Sequence, residues 1–536
     1  MLDLIRKLGD RVVGVLSGFD RLMFRGILRC VINPRGLNGY LYGAKVAMKD
    51  FGKHAEEVSE LVKDASLQEA RQTGRPIQYL PSSQVRKKDL ALKIAQQDGI
   101  HDGLICVLTC VEPCMSFHVR RDRQAKKIAL ESRTRKCLHL YHYYDHPQFG
   151  LMHVRLQTWF PFGMQVCLNG REWLIRELQR AGIGYQRRDN CVCQVDDLPA
   201  AQRLLDEQLT VSWPTLLNEL ARRVHPAHET VFANCPPEAR QYYWSAAETE
   251  WASDLLFRDP DQVLPLAERL IGQSMRVHGP GSVMRFLGRT VRKDDLPRAS
   301  FGGEIFSDVR TFEQGLRIKH RVNANSVKMY NRPGVLRIET TINNPKEFKV
   351  YRTTETNPDG KQAWLPLRKG VADMHRRAQV SQASNARFAT ALAAGLSEDA
   401  PLKDLAAALC SRVTRPGREQ PDGSRARSRT FRALNPLSPE DMRLLTFVAR
   451  PEHGISGLRN KDLRRELYQG EPADDAERRR RSAQTSRQLS LLRAHGIAEK
   501  VSKSHRYRVT ETGRYALTAL LAAANATTTD LTSLAA

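Results

Sequence analysis

The spacing of apolar residues changes period several times along the chain, and each change predicts an element. Residues 11–28 (RVVGVLSGFDRLMFRGIL) are rich in Val, Leu and Phe with glycine punctuation, which predicts one or two strands joined by a turn at Gly18. Within 41–65, Val46, Phe51, His54 and Val58 recur near a 3.6-residue period and predict a helix. The run 103–111 (GLICVLTCV) has the length of a buried strand, and 117–121 with 127–131 alternate like the arms of a hairpin. Residues 171–181 predict an amphipathic helix that Gly182 closes, since glycine enters the left-handed region without a Cβ clash. A strand over 191–195 and a helix over 198–209 complete a first block, 1–209, that reads as a mixed α/β domain.

The second block, 210–410, reads as helical and then β-rich. Aromatic residues at 242, 243, 244 and 251 within 239–257, and Leu264, Leu266, Leu270 and Ile271 within 262–277, predict two helices. The period then shortens to two over 316–322 and 335–342, with Pro333-Gly334 turning the chain after 326–330. Residues 370–396 return to a helical pattern. The stretch 411–436 holds seven arginines, two acids and few apolar residues, so it cannot bury a core and reads as a linker. Residues 521–536 end Ala/Thr-rich and read as a disordered tail.

From Leu437 the pattern is that of three helices and a hairpin. Ser438 is a good N-cap, Pro439 suits the first helical position, and Glu440 and Asp441 complement the positive end of the helix dipole. Met442, Leu445 and Val448 share one face of a helix over 439–449, and a turn over 454–457 leads to a second helix over 459–468. A third, over 474–495, opens on Asp474, Asp475 and Glu477, continues with four arginines at 478–481 and stops at Gly496. Residues 497–501 and 507–509 alternate as strands around the basic turn 502–506, and 510–520 predict a closing helix. The stretch 491–500 (LLRAHGIAEK), running into 505–513 (HRYRVTETG), resembles winged helix-turn-helix domains of the MarR-like transcription-regulator type, over about residues 437–520. The resemblance implies a third helix in the major groove of duplex DNA and a hairpin tip on the backbone or in the minor groove. It implies Arg478, Arg479, Arg481, Gln484, Ser486, Arg487 and Gln488 as base or phosphate contacts, and Lys503, Ser504, His505 and Arg506 as wing contacts. Arginine suits bidentate contact with guanine or phosphate, and glutamine suits adenine. A winged helix used for protein contacts, with solvated arginines, is the alternative.

Charge points the same way. Across 536 residues, 84 Lys and Arg face 59 Asp and Glu, a formal net charge of +25, so the molecule attracts polyanions. Over 437–520 the balance is only 17 against 11, which leaves most of the positive charge in the body and linker. No apolar run approaches the ~20 residues of a membrane span, and Asp3, Arg6, Lys7, Asp10 and Arg11 interrupt any signal-peptide core. Ten scattered cysteines read as reduced thiols, and the location expected is cytoplasmic and nucleoid-associated.

Candidate chemistry lies in two places. Residues 137–163 gather His139, His142, His146, His153 and Asp145, a donor set suited to a divalent metal, beside Tyr141, Tyr143 and Tyr144. Paired-histidine nucleases place two histidines around one apolar residue, whereas His118-Val119-Arg120 and His153-Val154-Arg155 each hold one. The same aromatic and basic residues can instead stack unpaired bases or fill a core. On 316–322, Arg317, Lys319 and Arg321 share a strand face; if that strand pairs with 335–342, they join Arg337 and Glu339 in a cationic face, which suits either phosphate binding or a solvated, salt-bridged surface. A nuclease would need Glu339 with Asp308 or Glu304 around a metal. The spacings Cys106/Cys110/Cys114 and Cys191/Cys193 match no usual zinc site, so no cofactor is assigned and a divalent metal belongs to the nuclease alternative alone.

The expectation is a multidomain α/β (α+β) body with a C-terminal winged helix-turn-helix domain. The leading function is duplex DNA binding. The alternatives are a metal-dependent nuclease or strand-transfer protein of a mobile element, in the manner of a replication initiator or transposase, and a protein that binds RNA or single-stranded DNA.

Overall fold

The structure, a computed structural model, describes residues 1–122, 124, 127–289, 304–312, 315–354, 357, 360–394, 396, 406–407, 409–416, 428–450, 453, 457–468, 470–501 and 504–527. It is a mixed α/β chain organised by one large sheet. The strands are β1 (Val12–Leu28), β2 (Ile77–Leu80), β3 (Gly103–Asp122), β4 (Lys127–His146), β5 (Gly150–Gln157), β6 (Met164–Asn169), β7 (Tyr185–Arg188), β8 (Cys191–Val195), β9 (Tyr242–Phe257), β10 (Ile305–Phe312), β11 (Gly315–Val322), β12 (Asn325–Arg332) and β13 (Val335–Ile342). All but β7 and β8, which pair as a separate hairpin, form an eleven-stranded sheet in the order β10-β11-β12-β13-β9-β1-β6-β5-β4-β3-β2. Its neighbours are antiparallel except β2 and β3. Strands from before and after residue 209 share it, since β1 pairs with β9.

Two strands differ from the sequence reading, each for a physical reason. β1 runs unbroken through Gly18, where a turn was expected. The glycine serves a close approach instead: a Cβ there would lie 2.8 Å from Leu205 Cδ2 on the helix Leu198–Asp206. The stretch 239–257, expected as a helix, is the central strand β9. Its last nine residues, 249–257, are all buried, because β1 and β13 flank it and both faces are covered. A strand covered on both faces loses the alternation that would mark it in sequence.

The two faces hold different chemistry. On one, Leu255, Ile318, Met329 and Ile338 pack against Leu266, Leu270, Phe388 and Leu392 of the helices Val263–Val277 and Met374–Ala393. On the other, Leu16 and Leu256 meet Leu174, Leu178 and Leu205 of the helices Gly170–Ala181 and Leu198–Asp206. Gly182 closes the first of these helices in the left-handed region, at φ 65°. The cover thins toward β10–β12, where charged side chains occupy this second face.

The arginine-rich stretch 411–436 carries structure in its described residues. Val413–Arg415 pairs with Arg429–Phe431, Arg432 forms an ion pair with Asp441, and the Arg415 guanidinium donates to the carbonyl of Ala494 at 2.9 Å. Residues 417–427 of the expected linker lie outside the described residues. The C-terminal unit comprises the helices Pro439–Val448, Asn460–Leu467, Asp475–Ala494 and Glu511–Asn525 around the strands Leu458–Arg459, Ala498–Lys500 and Arg506–Val509. The three strands pair in the order first, third, second. Ser438 accepts from the Asp441 amide and Asp474 from the Glu477 amide, as the capping pattern predicts. Leu444, Leu445, Leu463, Leu489, Leu492, Ile497 and Leu517 form the core. The last helix continues to Asn525, past the limit of 520 expected from sequence, while 528–536 of the expected tail lie outside the described residues.

Gly170 starts its helix against β1, and a Cβ there would sit 2.2 Å from the carbonyl oxygen of Phe19. Gly170→Ala is expected to destabilise the fold by about 1–3 kcal/mol, because neither backbone can yield. Gly39→Ala, with nothing within 4 Å of the new Cβ, is expected to be neutral or stabilising. Thermal unfolding of both variants checks this, and an unchanged Tm for Gly170→Ala would contradict the packing described.

Candidate functional site

The site begins with an irregularity in β1. Phe19 pairs with Trp251 and Leu22 with Thr249, so Asp20 and Arg21 both stand opposite Glu250. Such a bulge leaves a residue out of the ladder and re-aims its side chain. Asp20 is thereby brought to Glu250 on β9 and Glu339 on β13, and one carboxylate oxygen from each lies within 4.8 Å of the others. All three residues are buried.

Buried carboxylates require compensation, and cations supply it from four directions. Lys328 Nζ on β12 sits 3.1 Å from Glu250 Oε1 and 2.6 Å from Glu339 Oε1. Arg337 donates to both oxygens of Asp254 at 2.5 and 2.8 Å and to Asp20 Oδ2 at 2.9 Å. Arg171 reaches Asp254 at 3.1 Å, and Arg21 reaches Glu250 at 3.2 Å and Glu248 at 2.6 Å. The Asn190 amide, from the turn between β7 and β8, donates to Asp20 Oδ1, and the Tyr330 hydroxyl donates to Glu339 Oε2 at 2.7 Å.

These surroundings separate the two glutamates. Burial, and then the charge of Glu339, push Glu250 up to about 7 against the pull of Lys328 and Arg21. Burial also opposes ionisation of Glu339, but Lys328 and Arg337 outweigh it and hold that carboxyl down to about 2. Burial pushes Asp20 up, with Arg337 pulling the other way. At neutral pH the cluster therefore offers a fixed carboxylate beside one that exchanges a proton. That arrangement can move protons, and its three oxygen donors are also of the kind that hard divalent cations take.

The cluster continues into the cationic face. Cross-strand pairing lines up Asp308, Lys319, Lys328 and Glu339 in one row, and Arg310, Arg317, Tyr330, Arg337 and Asp254 in the next. β11 and β13 do not pair directly, as the sequence reading supposed; β12 lies between them and adds Lys328. Arg317, Lys319 and Arg321 share the expected face. Arg317 pairs with Asp308 at 3.2 Å, and Arg321 donates to the carbonyl of Asn323. Arg337 and Glu339, read from sequence as outward, are closed off at 1% and 0% exposure. The carboxylates beside Glu339 are Asp20 and Glu250 rather than Asp308, which Arg310 and Arg317 engage, or Glu304, which lies ahead of β10.

The histidine-rich segment is not gathered into one centre. Alternation along β4 puts His139 and Asp145 on one face and His142 and His146 on the other. His142 bonds Ser66 at 3.0 Å, and burial holds it down to about 3. His153 lies against Tyr141 and Tyr143, and burial followed by Arg155 lowers it to about 4, as it does His139. His146 accepts from the Gln148 amide at 3.1 Å, and Asp145 pairs with Arg176 at 2.5 Å. Burial thus disfavours the charged form of His139, His142 and His153, and Asp145 is held by Arg176. Among the described residues, Cys106, Cys110, Cys114, Cys191 and Cys193 are free thiols that belong to no metal-ligating group.

On the C-terminal unit, Arg479, Gln484, Ser486 and Arg487 lie exposed on the helix Asp475–Ala494. Arg478 pairs with Asp475. Arg481 is committed within the unit, to Glu477 at 2.8 Å, the Gly470 carbonyl at 3.0 Å and the Tyr468 ring. Gln488 is half-buried, and Ser486 accepts from the Asn460 amide at 2.8 Å. In the hairpin, His505 and Arg506 are exposed and Ser504 accepts from the Arg506 amide, while Lys503 lies outside the described residues. Sequence reasoning missed Asp20, Glu250, Asp254 and Lys328. Their available signal was charge inside apolar, strand-length runs.

The two glutamates shape the pH dependence of stability with opposite signs. Glu250 titrates above its ordinary value of 4.5, so its contribution is full below about pH 4.5 and is lost as pH rises through about 7. Glu339 contributes fully above about pH 4.5 and loses its contribution as pH falls toward about 2. Glu250→Gln is expected to flatten the upper limb, gaining on the wild type by on the order of 2–3 kcal/mol at pH 8 relative to pH 5. Urea unfolding across that range measures it, and parallel curves for the two proteins would refute the assignment. No protein-family model matches the chain, and neither a curated protein sequence nor a solved structure matches it.

Proposed function

We propose that the protein binds DNA, gripping the duplex through residues 437–525 and contacting phosphates with the basic face of its body. The observation that carries this reading is the element order of the C-terminal unit. Helix, short strand, helix, helix, strand, turn, strand and helix follow one another, with the three strands in one small sheet. That is the order of a winged helix-turn-helix, in which the third helix enters the major groove. Here the third helix buries Leu489 and Leu492, while steps of three and four residues line up Arg479, Ala483, Ser486 and Arg487 on its solvent side. The Asn460 amide ties Ser486 to the second helix, which fixes the pitch of that stripe. Arg487 and Arg479 are suited to guanine edges or phosphates, and Ser504, His505 and Arg506 to the flanking backbone.

Arg479→Ala combined with Arg487→Ala is expected to weaken duplex binding at least tenfold. The salt dependence should fall by about 0.9 in log–log slope for each phosphate that the variant no longer neutralises. Fluorescence anisotropy across a salt series reads both, and undiminished binding would remove the third helix from the interface.

One observation favours a second reading, a metal-dependent nuclease or strand-transfer protein. The buried group Asp20, Glu250 and Glu339 stands at the end of the cationic row, where a phosphate held by Lys319 or Lys328 would be close to it. Three carboxylate oxygens suit Mg²⁺ or Mn²⁺, provided the Lys328 ammonium swings toward solvent and Glu250 gives up its proton. A cation there would offset the charge that develops on a phosphodiester. Labelled single- and double-stranded DNA incubated with either ion should then be cleaved or rejoined by the wild type and left intact by Asp20→Asn and Glu339→Gln. Binding without product in the wild type would leave DNA binding alone.

A further inference from the structure

The face of β10–β12 carries a feature that duplex binding does not use. Phe306 and Phe312 stand on the edge strand β10, 36% and 45% exposed, on the side that also holds the cations of β11 and β12. The Arg321 guanidinium lies 5.3 Å from the Phe306 ring centroid, and the Arg317 guanidinium 5.2 Å from that of Phe312. Between these two pairs comes Lys319, whose ammonium has no hydrogen bond or ion pair among the described residues. On β10 and β11, Arg310, Arg317, Lys319 and Arg321 face Asp308 as the one carboxylate on this side among the described residues, while on β12 Lys328 is engaged by Glu250 and Glu339 and Arg332 lies 3.7 Å from Asp189. Solvent alone gives little reason for large rings to stand open among crowded like charges.

We infer that this sheet face is a binding platform for an unpaired nucleic-acid strand, with bases stacked on Phe306 and Phe312 and phosphates held by Lys319, Arg317 and Arg321. The combination is specific to that ligand class. Every base offers a π-face to an aromatic ring or a guanidinium plane, and only an unpaired strand has bases free to use it. In a duplex the bases are stacked on one another, and the rings would find only backbone. The two rings are six residues apart along β10, about 20 Å, so the strand must be several nucleotides long to touch both. From this face the cross-strand rows run directly to Glu339. The inference deepens the nucleic-acid reading by naming the ligand of the body, and it stands on residues separate from those of the C-terminal unit.

The full-length chain tests it by fluorescence anisotropy, with labelled oligothymidylate, oligouridylate and a mixed-sequence duplex as probes. Phe306→Ala with Phe312→Ala is expected to weaken binding of the single strands about tenfold or more. Duplex and heparin affinity and the thermal unfolding curve should stay at wild-type values. Lys319→Ala with Arg321→Ala should lower the salt slope for single strands by about 1.4, about 0.7 for each phosphate left without its cation. The deoxyribose and ribose probes separate DNA from RNA as the preferred strand. Wild-type affinity of the ring variant for both single strands overturns the inference, and so does an equal loss of duplex and heparin binding, which would mark a damaged charged surface. A ring effect that persists when Arg479→Ala and Arg487→Ala leave duplex binding unchanged would sustain the platform and sink the winged-helix reading instead.

Discussion

Four carboxylates closed inside a sheet set the terms for everything around them. Asp20, Glu250, Asp254 and Glu339 lie on adjacent strands, and each would be prohibitively costly to ionise there alone. Arg21, Arg171, Lys328 and Arg337 offset them, and each arrives on a different element: β1, the helix Gly170–Ala181, β12 and β13. The requirement for charge balance therefore joins the helices of one face to the strands of the sheet. It also explains why β13 tolerates Arg337 and Glu339 with no exposure, where an apolar residue would ordinarily stand. Removing one partner from such a group leaves an uncompensated charge, and that penalty exceeds the worth of the pair itself.

The same balance gives the sheet a gradient. Near β1 and β9 its charged side is covered by helices and by the β7–β8 hairpin, whose turn supplies Asn190 to Asp20. Toward β10 the cover ends, carboxylates become scarce and aromatic rings appear beside guanidinium groups. A polyanion approaching from solvent meets positive charge first and carboxylates last. Attraction at the rim and proton-exchanging acid at the back are compatible with binding, and with chemistry on what is bound.

Legibility in the sequence followed periodicity. Elements with a clear period or cap were read closely: the helix that Gly182 closes, the strand Cys191–Val195, the strand before Pro333-Gly334, the capped helices after Ser438 and Asp474, and also β13, whose apolar and polar residues alternate although every position is buried. Two readings failed for different reasons: β9 was taken for a helix because burial on two faces erases alternation, and β1 was given a turn at Gly18 because glycine commonly marks turns, although 20–28 alternate between buried and more exposed positions. The candidate site is built on those two strands, so Asp20 and Glu250 were invisible as a pair even though Glu339 was noticed. Their meeting depends on a register shift in β1, which only the pairing with β9 reveals. The histidine-rich segment misled in the opposite direction. Its residue types suit catalysis, but alternation along β4 sends them to two sides of the sheet, where a Ser66 hydroxyl holds His142 Nε2 and the Gln148 amide holds His146.

The order of the sheet has a consequence for how the protein is made. β1 is synthesised early, yet its long partner β9 begins at Tyr242, and β13, which completes the acidic group beyond β9, ends at Ile342. At translation rates of 5–20 residues per second, the first strand waits roughly 10 to 45 seconds before β9 is complete at Phe257. During that interval a 17-residue edge with Asp20 and Arg21 midway along it stands unpaired on the β9 side. Placing charge in the middle of such an edge discourages it from zipping onto another nascent chain. The acids that define the finished interior thus double as guards of the unfinished one.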